Sequence, residues 1–284
     1  MEGKLTVRRY LQLLGLYARM DLSFLLRDAK LSLLMIFADV ASNVASVTGI
    51  LLLAWRFDGM GGMSRWEVLL MLGYVTCLTG LYQLFFSANN TGHISRRIGR
   101  GQFDHMLLQP LPYAVQLTTE SFIPFTGCQN LLCGVGIVIA AVHNLGIVVG
   151  AAFIAGLAGY LIVSLATILG LSYLFSSLAF YKQIAFEEIA TTVVDELTGM
   201  LSNYPLGGMP HPVQWALVTV IPAGLLGWFP VCALLGKAPL GLSALFPLLV
   251  AAVVWSLASV AFRKGIRYYV KIGSNRYSAG GHRR

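Results

Sequence analysis

The chain has 284 residues, of which 57% are hydrophobic and only 11% charged, and its mean hydropathy is +0.73. Soluble domains carry about 25% charged residues, so this composition argues against a soluble globule. The net charge of +8 does not point to nucleic acid, because the basic residues fall at the edges of apolar blocks and not in one aromatic-laced patch. Several blocks reach the roughly 20 apolar residues that a helix needs to cross a hydrocarbon layer. Only helices and closed barrels satisfy the backbone there, and the ten-residue alternation of a barrel is missing. The fold class expected is an all-α polytopic membrane protein.

The first 30 residues hold Arg8, Arg9, Arg19 and Arg27 and show no small-residue cleavage site after a short apolar core, so a retained, cytoplasmic N-terminus is expected. Residues 1–28 read as an amphipathic interfacial helix, with Arg8, Gln12, Gly15 and Arg19 along one stripe. A first span is expected over 31–54. Trp55 and Trp66 then bracket a glycine-rich turn at a membrane interface, and a second span covers 67–87. A basic stretch follows, then a third span over 121–142 and a fourth over 147–171. In and before the fourth, Gly146, Gly150, Gly156 and Gly159 offer small surfaces for helix packing. The last span is expected over 240–262.

Two blocks remain, 184–204 and 213–235. The basic tail carries Arg263, Lys264, Arg267 and Lys271 and is placed in the cytoplasm with the N-terminus, so the number of crossings must be even. Either 184–204 crosses and 213–235 is a re-entrant element broken at Pro222 and Pro230, or 184–204 lies on the surface and 213–235 crosses. Both schemes give six spans, with Arg56, Arg65 and Lys237 outside and the other seventeen Lys and Arg inside.

Polar residues within the spans are the candidates for function, because a carboxylate at mid-span costs about 2.5 kcal/mol or more. On a regular helix Glu188, Thr191, Asp195, Thr198 and Ser202 share one face, as do Asp39 and Asn43 with Ser32, Ser42 and Ser46. Asp39, Asn43, Glu188, Asp195 and Ser202 are therefore the substrate-path candidates. The bland alternatives are acids at headgroup level near a helix start for Glu187 and Glu188, and interhelical hydrogen bonding for the first span. Catalytic signatures are missing: no nucleophile motif, no phosphate loop and no metal-ligand spacing among the five histidines. Cys77, Cys128, Cys133 and Cys232 lie in apolar blocks and read as small hydrophobes. No catalytic residue, metal site or cofactor is expected on this chain.

The stretch between spans two and three, "RRIGRGQFDHMLLQPLP" at 96–112, differs from its neighbours. Positive-inside logic places it in the cytoplasm. "NTGHISRRI" reads as a short basic helix, Gly99 and Gly101 as its break, and "QFDHMLL" as a second helix with Asp104 in its first turn, where the helix dipole favours a carboxylate. Pro110 and Pro112 stop the element. Phe103, Met106 and Leu107 are expected to be exposed beside Arg96, Arg97 and Arg100. That surface suits a cytoplasmic partner or, equally, lipid headgroups.

"GRGQFDHMLLQPLP" resembles the G-x-[hydrophobic]-D-x-x-L-x-x-P-[hydrophobic]-P motif of a bacterial branch of the type-2 ATP-binding-cassette exporter permeases. "NYPLGGMPHPVQWALVTVIPAGLLGWFPVCALLG" resembles that branch's segment before the last span. "FRKGIRYYVKIGSNRY" resembles its basic end, and "VRRYLQLLGLYARMDL" its basic start. The resemblance implies six spans, an N-terminal interfacial helix, a coupling element at 92–110 and the re-entrant reading of 213–235. It further implies a dimer of permeases, identical or homologous, in the bacterial cytoplasmic membrane, with two ATPase subunits that hold the ATP and Mg. Arg96, Arg97, Gly101, Asp104, Leu107 and Pro110 are then the coupling residues. Two rival readings follow from the residues alone. An ion- or proton-coupled carrier would use Glu188, Asp195 and Asp39, and a membrane scaffold would not transport at all.

Overall fold

The structure, a computed structural model, describes residues 7–87, 93–237 and 239–273. Every regular element among them is helical. Helix α1 (Val7–Arg27) is amphipathic, and its buried Asp21 fastens it to the 121–128 turn. The Asp21 carboxylate accepts the backbone N–H groups of Phe125 (2.8 Å) and Thr126 (3.1 Å) and the Thr126 hydroxyl (2.6 Å). Asp28 then caps α2 (Ala29–Arg56) by accepting the Leu31 N–H.

Helix α3 (Arg65–Tyr82) starts at a capping box, in which Ser64 and Glu67 satisfy each other's backbone N–H. It continues as a π-helical turn over Gln83–Ser87. Three short helices follow, α4 (Ile94–Gly99), α5 (Phe103–Leu108) and α6 (Tyr113–Glu120). Helix α7 (Gln129–Leu145) comes next, then α8 (Ala151–Ser176), which tightens into a 3-10 turn at Ser177–Phe180. Helix α9 (Ile189–Thr191) runs through a π-helical stretch, Thr192–Gly199, into α10 (Met200–Ser202). Helices α11 (His211–Thr219) and α12 (Trp228–Leu234) flank a 3-10 turn at Pro222–Leu226, and α13 (Phe246–Ile272) ends the described chain.

Among the described residues four helices are long and apolar enough to cross a membrane: α2, α3 with its extension, α8 with its extension, and α13. Helix α7 is apolar but has only 17 residues, about 26 Å at 1.5 Å per residue. It begins at Gln129 and not at Ser121, as the apolar run had suggested, because Ser121 to Cys128 form a broken turn that receives Asp21. At the other end of the chain α13 passes Phe262, the expected limit, and carries its basic residues ten positions further as helix. Helices α11 and α12 are each too short to cross. They are separated at Pro222 and at Gly227, whereas Pro230, an expected break, lies within α12, and every residue from Pro222 to Cys232 is buried.

Helix α3 is the axis of the packing. A Cβ on Gly80 would lie 2.2 Å from the Leu131 backbone nitrogen, and one on Gly134 would lie 2.4 Å from that of Cys77. The crossing of α3 and α7 therefore depends on bare glycines that let the two backbones touch. The expected packing glycines differ from these: Gly146, Gly150 and Gly159 face open space, and only Gly156 meets a neighbour, Leu234. Tyr74 on α3 shares a 2.8 Å hydrogen bond with Ser164 on α8, whose hydroxyl reaches the Leu225 carbonyl at 2.9 Å. Trp255 on α13 donates to the Ala166 carbonyl of α8 at 2.7 Å. Cys77 and Cys232 are buried, and Cys128 and Cys133 half-buried.

Candidate functional site: a protruding element and a polar cleft

Helices α4 to α6 fold back as a compact protrusion against the far ends of α8 and α13. Gly101, at φ 69°, turns the chain between α4 and α5. Phe103 is fully buried, with its ring edge-on to Phe180 (5.2 Å), Phe262 (6.5 Å) and Tyr269 (5.6 Å). Such edge-to-face contacts add about 0.5–1.5 kcal/mol each beyond area burial. The expectation that Phe103 and Met106 are exposed is thus corrected. The aromatic end of α13, which continues to Ile272, gives both side chains a core to enter. Leu107 (41% exposed) and Leu108 (82% exposed) remain outside with His105 and Pro110, while Asp104 sits half-buried in the first turn of α5.

The arginines of α4 and of its C-cap pair with acids on neighbouring segments. Arg97 is buried, donates to Glu120 at 2.8 Å and reaches the Met106 sulfur at 3.3 Å. Arg96 pairs with Glu188 at 2.5 Å and Arg100 with Glu187 at 3.1 Å. Glu187 and Glu188 therefore stand at the junction of the protrusion with α9. Helix α1 reaches the same corner. Burial there pushes the Tyr17 phenol above its ordinary range, the Glu120 carboxylate adds to the rise, and the Arg97 guanidinium opposes it.

Between α2, the end of α3, the 123–129 turn and the π-helical stretch lies an open-sided cleft of about 510 Å³. Asp39, Asn43 and Asp195 line it, so three of the five substrate-path candidates meet in one place. Gln129 donates to Asp39 at 3.1 Å, and His93 Nε2 lies 3.0 Å from Asp195. Asn43 donates to Asn130, which donates to Gln83 at 2.5 Å. Glu188 and Ser202 lie apart from the cleft lining. Glu188 is engaged with Arg96, and the Ser202 hydroxyl donates to the Gly199 carbonyl. The single polar face expected over 188–202 breaks up for a physical reason. The i→i+5 pairing of a π-helix turns side chains away from the α-helical register. Thr198 is consequently buried, with its hydroxyl on the Val193 carbonyl.

Tyr82, Gln83, His93, Thr126, Gln129 and Asn203 also line the cleft, and none of them is among the substrate-path candidates. Gln83 and Asn130 could have been found by the criterion applied to Asp39, since each is a polar residue in an apolar run. His93 could not, because its place depends on how the chain folds back from α3. Both π-helical stretches contribute to the wall, through Gln83 and through Val194, Asp195 and Gly199. Such distortions are frequent at functional sites.

Long apolar helices, buried polar contacts between them and a pair of short helices joined through a buried turn define an all-α polytopic membrane protein. Within that class the match is specific: the family of ABC-2 family transporter proteins covers residues 40–273, and the chain belongs to it. It is therefore a permease subunit of an ATP-binding-cassette transporter. No curated protein and no solved structure matches the chain significantly.

Proposed function

We propose that the chain is the membrane half of an ATP-driven exporter in the bacterial cytoplasmic membrane. Two permeases, identical or homologous, work with two ATPase subunits that bind ATP and Mg. In this reading the chain crosses six times, with 184–204 as the fifth span, 213–235 as the re-entrant element and both termini in the cytoplasm. The protrusion at 92–110 is the coupling element. The observation that carries this is the anchoring of the protrusion. Phe103 fixes it to the ends of α8 and α13, and Arg96 and Arg100 tie it to the acids ahead of α9. A displacement of its outer surface is thereby transferred to three membrane helices.

The coupling residues divide by position. Leu107 and its neighbour Leu108, with Asp104 and His105, form the surface offered to the ATPase, and Pro110 ends it. Arg96, Arg97 and Gly101 hold that surface in register with the spans. ATP drive is favoured over a gradient-driven carrier by membership of the ABC-2 family.

The test is co-expression with the cognate ATPase subunit and assay of the purified, reconstituted complex. Replacing Leu107 and Leu108 by Ser together is expected to lower transport-linked ATP hydrolysis at least tenfold while the permease stays folded. Unchanged assembly and hydrolysis would overturn the role given to the protrusion.

A further inference from the structure

The walls of the cleft have a one-sided chemistry. Among the described residues no Lys or Arg lines this space, whereas two carboxylates do, one of them beside His93. In both Asp39 and Asp195 the hydrogen bond to the neighbouring side chain engages Oδ2. A carboxylate has about four acceptor sites, so Oδ1 of each is left for a further donor. Gln129, on the same wall, uses its amide nitrogen on Asp39, and its Oε1 is buried without a hydrogen-bond partner.

The rest of the lining fixes the shape of the guest. Val47, Val75, Ile123, Ile168 and Val194 give an apolar surface, and Tyr82 adds an aromatic ring. Aromatic faces attract cations within about 6 Å. The volume of about 510 Å³ lies in the range of small-molecule sites and far above that of a bare ion. We infer that the cleft is a binding site for an organic cation, an amine or amidine with an apolar body, held between Asp39 on α2 and Asp195 on the π-helical stretch. Calling this guest the exported substrate rests on the function proposed above, whereas the binding itself does not.

The experiment uses the full chain alone in nanodiscs of zwitterionic lipid, without ATPase. Rhodamine 6G and ethidium are the cationic probes and fluorescein the anionic one. Binding is read by fluorescence polarisation after subtraction of empty nanodiscs. At least one cation is expected to bind saturably and fluorescein not at all. Asp39→Asn and Asp195→Asn should each weaken cation binding about tenfold, the worth of one charged hydrogen bond. Asp58→Asn, in the turn beyond α2, should leave it unchanged. Thermal unfolding of each variant shows that the loss is not a loss of fold. The inference is overturned if neither cation binds saturably, if fluorescein binds as tightly, or if both folded cleft variants bind like the parent chain. Because no ATPase is present, failure here leaves the coupling proposal standing, and failure of coupling leaves this result standing.

Discussion

Helices α2 and α3 have nearly the same hydropathy, 1.8 and 1.7 over their most apolar 18 residues, but 6% of that window is buried in α2 and 72% in α3. Hydropathy therefore selects both as membrane helices and says nothing of which one the protein is built around. The difference lies in small and polar residues. Helix α3 brings Gly80 and the Cys77 backbone into contact with α7, and Tyr74 into contact with Ser164. Helix α2 presents Leu33, Leu34 and Phe37 outward and makes its described polar attachments through Asp39 and Asn43. In lipid, apolar side chains gain little by leaving one apolar surface for another, so close packing and hydrogen bonds decide what is central.

The comparison can be broken most severely at the crossing of α3 and α7. Gly134→Leu drives a side chain into the Cys77 backbone and Gly80→Leu into that of Leu131. Each should cost about 3 kcal/mol or more, visible as loss of monodisperse protein in detergent and a collapsed thermal transition. Next in size is Arg97→Met, which takes the Arg97 guanidinium away from the mostly buried Glu120 carboxylate and should cost about 3 kcal/mol. Adding Glu120→Gln should recover most of that loss in a thermal-unfolding cycle. Ser164→Ala removes one hydroxyl shared by Tyr74 and the Leu225 carbonyl and should cost about 1–3 kcal/mol by the same assay. The smallest effect is expected on α2, where Leu33→Ala at a 65% exposed position should change stability by less than about 0.5 kcal/mol. A destabilisation by Leu33→Ala as large as that by Ser164→Ala would remove the contrast between the helices.

The class of the fold was legible because apolar length is a local property that lipid reads directly. Residues 29–56 and 151–176 declare themselves without reference to anything else. The break at 121–128 was not legible, because it exists to receive Asp21 from more than a hundred residues away. The burial of Phe103 was hidden for the same kind of reason, since its core is made by Phe180, Phe262 and Tyr269 from two other helices. At the cleft, the acids could be named in advance because a charge in an apolar run is conspicuous. Their grouping could not. It depends on a π-helical stretch that brings Asp195 to the cleft wall and leaves Ser202 out of it, and on a histidine carried in from the segment after α3.

The proposed side of the protrusion is the point on which coupling, orientation and partner all depend. It can be measured with His105→Cys in a chain whose four native cysteines are replaced, labelled with a membrane-impermeant maleimide. Labelling is expected in inside-out vesicles and not in intact spheroplasts. Labelling from the spheroplast exterior would put the protrusion on the wrong face of the membrane for any cytoplasmic ATPase and would contradict the coupling role.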